Sequence, residues 1–252
     1  MKNGLKKILV TGCGILWMLN AFSQYTASDI IKMADDKNRG VTNRSEMTMT
    51  IVRPSYTRSV SMKAWSKGND FALIYITAPA KEKGQVFLKQ KRDMWNWVPS
   101  IERTIKIPPS MMMQSWMGSD FTNDDLVQQS SIVKDYHHKL MGQEEIRGVL
   151  CHKIELEAKP EAPVVWGKVR VWITRDGLDI WKSEYFDEDN ELVNTENAYD
   201  LKKMNDRTIP TRFEIIPSGK PGQKTVLEIH SSVFNEPISD DFFSQQNMKK
   251  IR

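Results

Sequence analysis

The sequence is short of the groups from which most catalytic and metal-binding sites are built. It holds 2 cysteines and 4 histidines among 252 residues. It contains no Gly-x-Ser-x-Gly elbow, no His-Glu-x-x-His pattern, no phosphate-cradling glycine loop and no paired-cysteine zinc spacing. His137 and His138 are adjacent, so on a strand their rings point to opposite faces and cannot chelate together. His152 falls among apolar positions and His230 on a polar face, where each reads as structural. Asp120, Asp124 and Asp125 read as acids of a helix first turn, where the backbone dipole favours them. These absences point away from an enzyme and imply no cofactor and no metal. A lipid hydrolase working on an ester held in a cavity is the alternative from another class.

Long apolar runs are also missing after the first two dozen residues. Lys2, Lys6 and Lys7 head the run Ile8 to Phe22, and Ala21-Phe22-Ser23 supplies small residues at the expected spacing, so residues 1–23 read as a signal peptide cleaved between Ser23 and Gln24. Export to the periplasm follows. Val10-Thr11-Gly12-Cys13 resembles a lipobox, which makes a membrane anchor through Cys13 the competing reading. With Cys13 removed, Cys151 has no partner and an intrachain disulfide is excluded, so the core must suffice alone. Residues 24–252 fit one domain. Loss of the three lysines lowers the formal charge of +4 to about +1. Such a balance gives no long-range pull toward nucleic acid. Lys81, Lys83, Lys89, Lys91 and Arg92 read as a solvated strand edge.

What is present is alternation. After one amphipathic helix, capped near Thr26 and stopped by Gly40, apolar residues recur with period two: Met47, Met49 and Ile51, then Val60, Met62 and Ala64. Similar stretches recur through Leu227 and Ile229, giving ten or eleven strands with no alternating helices. The fold class is mainly β, a large antiparallel meander with one apolar face. Twist accumulates over that many strands and curls the sheet. Few helices are left to fill its concave side, so the sequence predicts an unclosed half-barrel around an apolar cavity. The face on which Trp95 and Trp97 lie is not fixed by alternation.

One stretch breaks the pattern. Pro108-Pro109-Ser110-Met111-Met112-Met113-Gln114-Ser115-Trp116-Met117-Gly118 lies between strands, has a candidate N-cap in Ser110 and a stop in Gly118, and predicts about two helical turns. Unbranched, polarizable methionines adapt to partners of varied shape. The segment therefore reads as a lid.

Asp124-Asp125-Leu126, the run Gly142 to Gly148 before Cys151 to Leu156, the run Val171 to Gly177, Ile209-Pro210-Thr211 and Asp240-Asp241-Phe242-Phe243 together resemble the LolA-like outer-membrane lipoprotein-sorting proteins. The resemblance covers the mature chain and rests on the order of these loose patterns. It implies an unclosed β-barrel with a helical lid that holds acyl chains in the periplasm, with a membrane exporter as donor and an outer-membrane acceptor. On this view a monomer carries acyl chains of a lipid or lipoprotein. Met111, Met112, Met113, Trp116 and Met117 would cover the cavity, with Met47, Met49, Ile51, Val60, Met62, Val171 and Leu227 beneath. A non-catalytic envelope interaction module, docking through exposed aromatics such as Trp172, is a further alternative.

Overall fold

Two meanders share one sheet. A computed structural model describes residues 25–127, 131–160, 162 and 164–251. The leader 1–23 with Cys13 lies outside the described residues. The first meander comprises β1 (Thr42–Arg53), β2 (Tyr56–Lys67), β3 (Phe71–Ala78), β4 (Val86–Gln90), β5 (Asp93–Val98) and β6 (Arg103–Ile107). The second comprises β7 (Tyr136–Ile146), β8 (Val149–Ala158), β9 (Lys168–Thr174), β10 (Ile180–Phe186), β11 (Leu192–Met204), β12 (Arg207–Pro217) and β13 (Lys224–Phe234). The strands are ordered β6-β5-β4-β3-β2-β1-β13-β12-β11-β10-β9-β8-β7, and each paired neighbour is antiparallel. The sheet has 13 strands, against the ten or eleven expected. Its first and last strands do not pair, so the barrel is unclosed.

This order has a topological consequence. β6 and β7 are consecutive in sequence yet form opposite edges of the sheet. The connection between them, residues 108–135, must cross from one edge to the other. Its described residues 108–127 run over the concave side, where Met112, Trp116 and Phe121 join the main core.

The other cover is α1 (Ala27–Arg39). Thr26 and Asp29 form a reciprocal capping box, an arrangement worth about 1 kcal/mol. Ile30, Ile31 and Ala34 face the sheet. Three contacts fix the helix: Ser28 Oγ with His138 Nδ1 at 2.9 Å, Lys37 Nζ donating to Asp179 Oδ1 at 2.5 Å, and Arg207 donating to the Lys37 carbonyl at 2.8 Å. At Gly40 (φ 65°) an added Cβ would lie 2.9 Å from Asn235 Oδ1, so the chain turns there on a residue without one.

The expectation of a single apolar face needs a correction at β3 to β5. Ile74 and Ile76 point into the concave core, whereas Leu73, Tyr75, Val86 and Leu88 form a second cluster on the outer face. Phe243 and Met248 of the C-terminal segment complete it. Trp95 and Trp97 pack against this outer cluster, which settles their orientation. Trp172, taken from sequence as exposed, is buried: it lies between Lys153 and Lys182, 5.1 and 4.3 Å from its ring, and donates to Glu144. Long lysine stems cover a ring on the sheet's outer side as effectively as another apolar residue.

Candidate functional site

The concave side is not filled. A cavity of about 400 Å³ lies between the sheet, α1 and the crossing segment, within the size range of small-molecule pockets. Its walls come from strand positions that the pleat turns inward, among them Met47, Ile74, Val169, Ile215, Leu227 and Ile229. One end is polar and reaches the exposed turn at Gly68, with Asn38, Arg39, Asn43 and Asn69 around it. Arg39 is held by both carboxylate oxygens of Asp35, one helical turn away, at 2.9 and 3.2 Å.

Of the residues singled out in the sequence, Met47 and Leu227 line this cavity. Met49, Ile51, Val60, Met62 and Val171 are buried in the surrounding core. The methionine segment differs from the expected two-turn helix. It forms two short 3₁₀ turns, Pro109–Met111 and Trp116–Gly118, with Met117 in the left-handed region at φ 50°. Between them the chain folds back on itself, with Trp116 N–H donating to the Phe121 carbonyl at 2.8 Å and Ser115 bridged to Thr122. A helix is prevented because these backbone groups are spent on the hairpin-like return and Met117 has left the helical region.

The segment is a plug rather than a cover of uniform greasiness. Trp116 retains 1% of its surface and packs edge-on against Phe87 at 5.2 Å, and Met112 is also buried. Met117 is partly buried against the core, while Met111 and Met113 turn to solvent, Met113 with 64% of its surface exposed. None of these five lines the cavity; its cover on this side is formed by Phe121, Asp124 and Asp125. The crossing segment is clamped at Asp120, whose carboxylate accepts both ends of the Arg53 guanidinium at 3.0 and 3.1 Å and the Thr225 hydroxyl at 2.7 Å. Arg53 also donates to the Gly118 carbonyl, and Arg58 to that of Met117.

The inner end of the cavity carries acids that sequence reasoning missed. Across β9 to β13 the register places Val171, Ser183, Glu196, Ile215 and Thr225 side by side. Tyr185 donates its hydroxyl to Glu196 Oε2 at 2.7 Å. Both residues line the cavity. Burial pushes the Glu196 carboxyl up to about 7, opposed by the Tyr185 hydrogen bond and reinforced by nearby Asp125. Asp125 is itself shifted upward by burial, although Thr122 N–H and Trp166 Nε1–H donate to it. Asp125 and Thr122 also form the reciprocal cap of α2 (Asn123–Val127), the role expected for that acid.

Lys89, read from sequence as part of a solvated edge, is buried. Desolvation lowers its ammonium to about 8, while Asp124, Asp70 and Asp135 act in the opposite sense. Its neighbours Leu88 and Gln90 face the outer side, so the alternation of β4 drives Lys89 inward with Phe87. Among the described residues no group of three or more His, Cys, Asp or Glu is arranged to hold a metal ion. No helix of the described residues is long and apolar enough to cross a membrane.

This unclosed antiparallel half-barrel recurs in solved structures of low sequence identity. Residues 68–250 match the family model described as "Uncharacterized protein", and the chain belongs to that family. The chain is similar to a DUF1329 family protein from Desulfovibrio piger, with 24% identity and a TM-score of 0.80 over 88% of this chain and 97% of that one. A LolA superfamily protein from Nitrosomonas europaea is 23% identical, with a TM-score of 0.76 over 88% and 99%. A domain from Vibrio parahaemolyticus named for outer membrane lipoprotein sorting is 19% identical, with a TM-score of 0.78 over 88% and 98%. The sporulation protein YdcC of Bacillus subtilis is 26% identical over 100 residues, 39% of this chain, which spans 30% of that protein.

Proposed function

We propose that the protein is a periplasmic carrier that shelters an acyl chain of a lipid or lipoprotein in the concave cavity on its way to the outer membrane. The observation that carries this reading is a cavity of about 400 Å³ walled by Met47, Ile74, Val169, Leu227 and Ile229 in a sheet whose edge strands do not pair. Each methylene moved from water into such walls gains about 0.8 kcal/mol. A chain of a dozen carbons therefore gains on the order of 10 kcal/mol, enough to hold it against the aqueous compartment. A membrane exporter would supply the cargo and an outer-membrane protein accept it. The likeness to a domain named for lipoprotein sorting supports the compartment and the cargo class.

The test is incubation with vesicles of radiolabelled phospholipid, followed by removal of the vesicles. Label kept in solution in proportion to protein, chemically intact, is the expected result. Release of labelled fatty acid with turnover would replace the carrier by a hydrolase, the alternative for which the cavity-lining Glu196 and Asp125 would be the acids to examine. No label in solution and no release would overturn both.

A further inference from the structure

Glu196 sits in a place where a strand sequence rarely puts an acid. It lies in a register row between Ser183 and Ile215, facing the cavity, and it is half-buried. One of its oxygens accepts the Tyr185 hydroxyl. The other has no protein hydrogen-bond partner among the described residues, and it is not sealed off in the packed interior either, so the space it meets is the cavity. No ion pair reaches Glu196 among the described residues. The charged group acting on it is another acid, Asp125, whose two oxygens are already occupied by Trp166 and Thr122. A half-buried acceptor left open in a ligand-sized space, beside a second acid and with no cation paired to it, is a recognition element waiting for a donor.

We infer that the cavity selects amphiphiles by their polar end, with Glu196 and the Tyr185 that orients it accepting a hydrogen bond from an amine or hydroxyl and rejecting a carboxylate. This inference rests on the carrier reading and narrows its cargo. The apolar positions Met47, Val169, Leu227 and Ile229 hold the chain, and the open oxygen of Glu196 takes the proton that the head offers. A carboxylate head would bring a third negative charge beside Glu196 and Asp125 in a desolvated space and would be refused. An ammonium head does the reverse, since it sits against acids that lack a cation of their own. Tyr185 is a positioning residue: its hydroxyl spends itself on Oε2 and leaves the second oxygen to the ligand.

The experiment is displacement of N-phenyl-1-naphthylamine, an uncharged dye that brightens in apolar surroundings, by dodecylamine, dodecanol and laurate at pH 8. Dodecylamine and dodecanol should each displace the dye at concentrations about tenfold or more below that of laurate, the usual worth of a hydrogen bond to a charged group. In Glu196→Gln the amine should lose about tenfold relative to the dye's own affinity measured in that variant, and Tyr185→Phe should weaken the same preference. Displacement by laurate as effective as by the amine, or an order of ligands unaltered in Glu196→Gln, would overturn the inference and leave the carrier reading standing. Failure of the dye to bind saturably to the unaltered protein would overturn the carrier reading itself.

Discussion

Replacing Asp120 by Asn keeps the shape of the side chain and removes the charge that clamps the crossing segment to the sheet. The Arg53 guanidinium would then keep neutral acceptors, the carbonyls of Val52, Gly118 and Lys224 and the one amide oxygen of the new side chain, and would lose the bidentate carboxylate. Removing one partner of a buried ion pair costs about 3–5 kcal/mol because the other charge is stranded. Arg53 and Asp120 retain 12% and 8% of their side-chain surface, so the lower end, about 3 kcal/mol, applies. For a domain of this size that lowers Tm by roughly 6–12 °C. Hydrogen exchange separates global from local loss: the Trp116 amide, bonded to the Phe121 carbonyl, should exchange faster than amides of β1 and β13. A melting temperature within 2 °C of the unaltered protein, roughly the shift of a sub-kcal change, together with unchanged protection at Trp116, would refute the clamp.

The same reasoning gives two further expectations. Glu196 holds its proton to about pH 7 in the folded protein and to about 4.5 when unfolded, so stability is full below about pH 4.5 and is lost as pH rises through 7, on the order of 3 kcal/mol in all. Urea midpoints should fall between pH 5 and pH 8, less so in Glu196→Gln; an identical fall in both would assign it elsewhere. Met112→Ala should cost about 2–5 kcal/mol by cavity formation, whereas Met113→Ala, at an exposed position, should lie within about 0.5 kcal/mol; equal effects would contradict the plug.

Much of this architecture is legible in the chain because the forces that made it are local. Thr26 and Asp29 announce α1, and the alternation at Met47-Met49-Ile51 against Val60-Met62 announces a half-buried hairpin whose observed register pairs Met47 with Met62 and Met49 with Val60. β11 is silent for the opposite reason. Its run from Leu192 to Met204 is rich in Asn, Glu, Asp and Lys, and the residue it sends inward at the centre of the site is Glu196, which reads as solvent-facing unless the neighbouring strands are known. Lys89 is hidden in the same way: alternation places it inward, but its charge argues for the surface, and only the acids brought near by folding reconcile the two. The methionine run misleads differently. Its composition suits a helix, while the return from Phe121 to Trp116, a contact made only after the crossing is complete, sets its conformation.

The account stands on the open volume beside Leu227, a partly buried wall residue with space in front of it. Leu227→Trp places a large aromatic ring into that space. Titration with N-phenyl-1-naphthylamine should show saturable binding by the unaltered protein and a loss of about tenfold or more in Leu227→Trp, the worth of about 1.4 kcal/mol, at a melting temperature no lower than before. Equal binding by the two proteins, or no saturable binding by either, would contradict the claim that this cavity is where cargo is held.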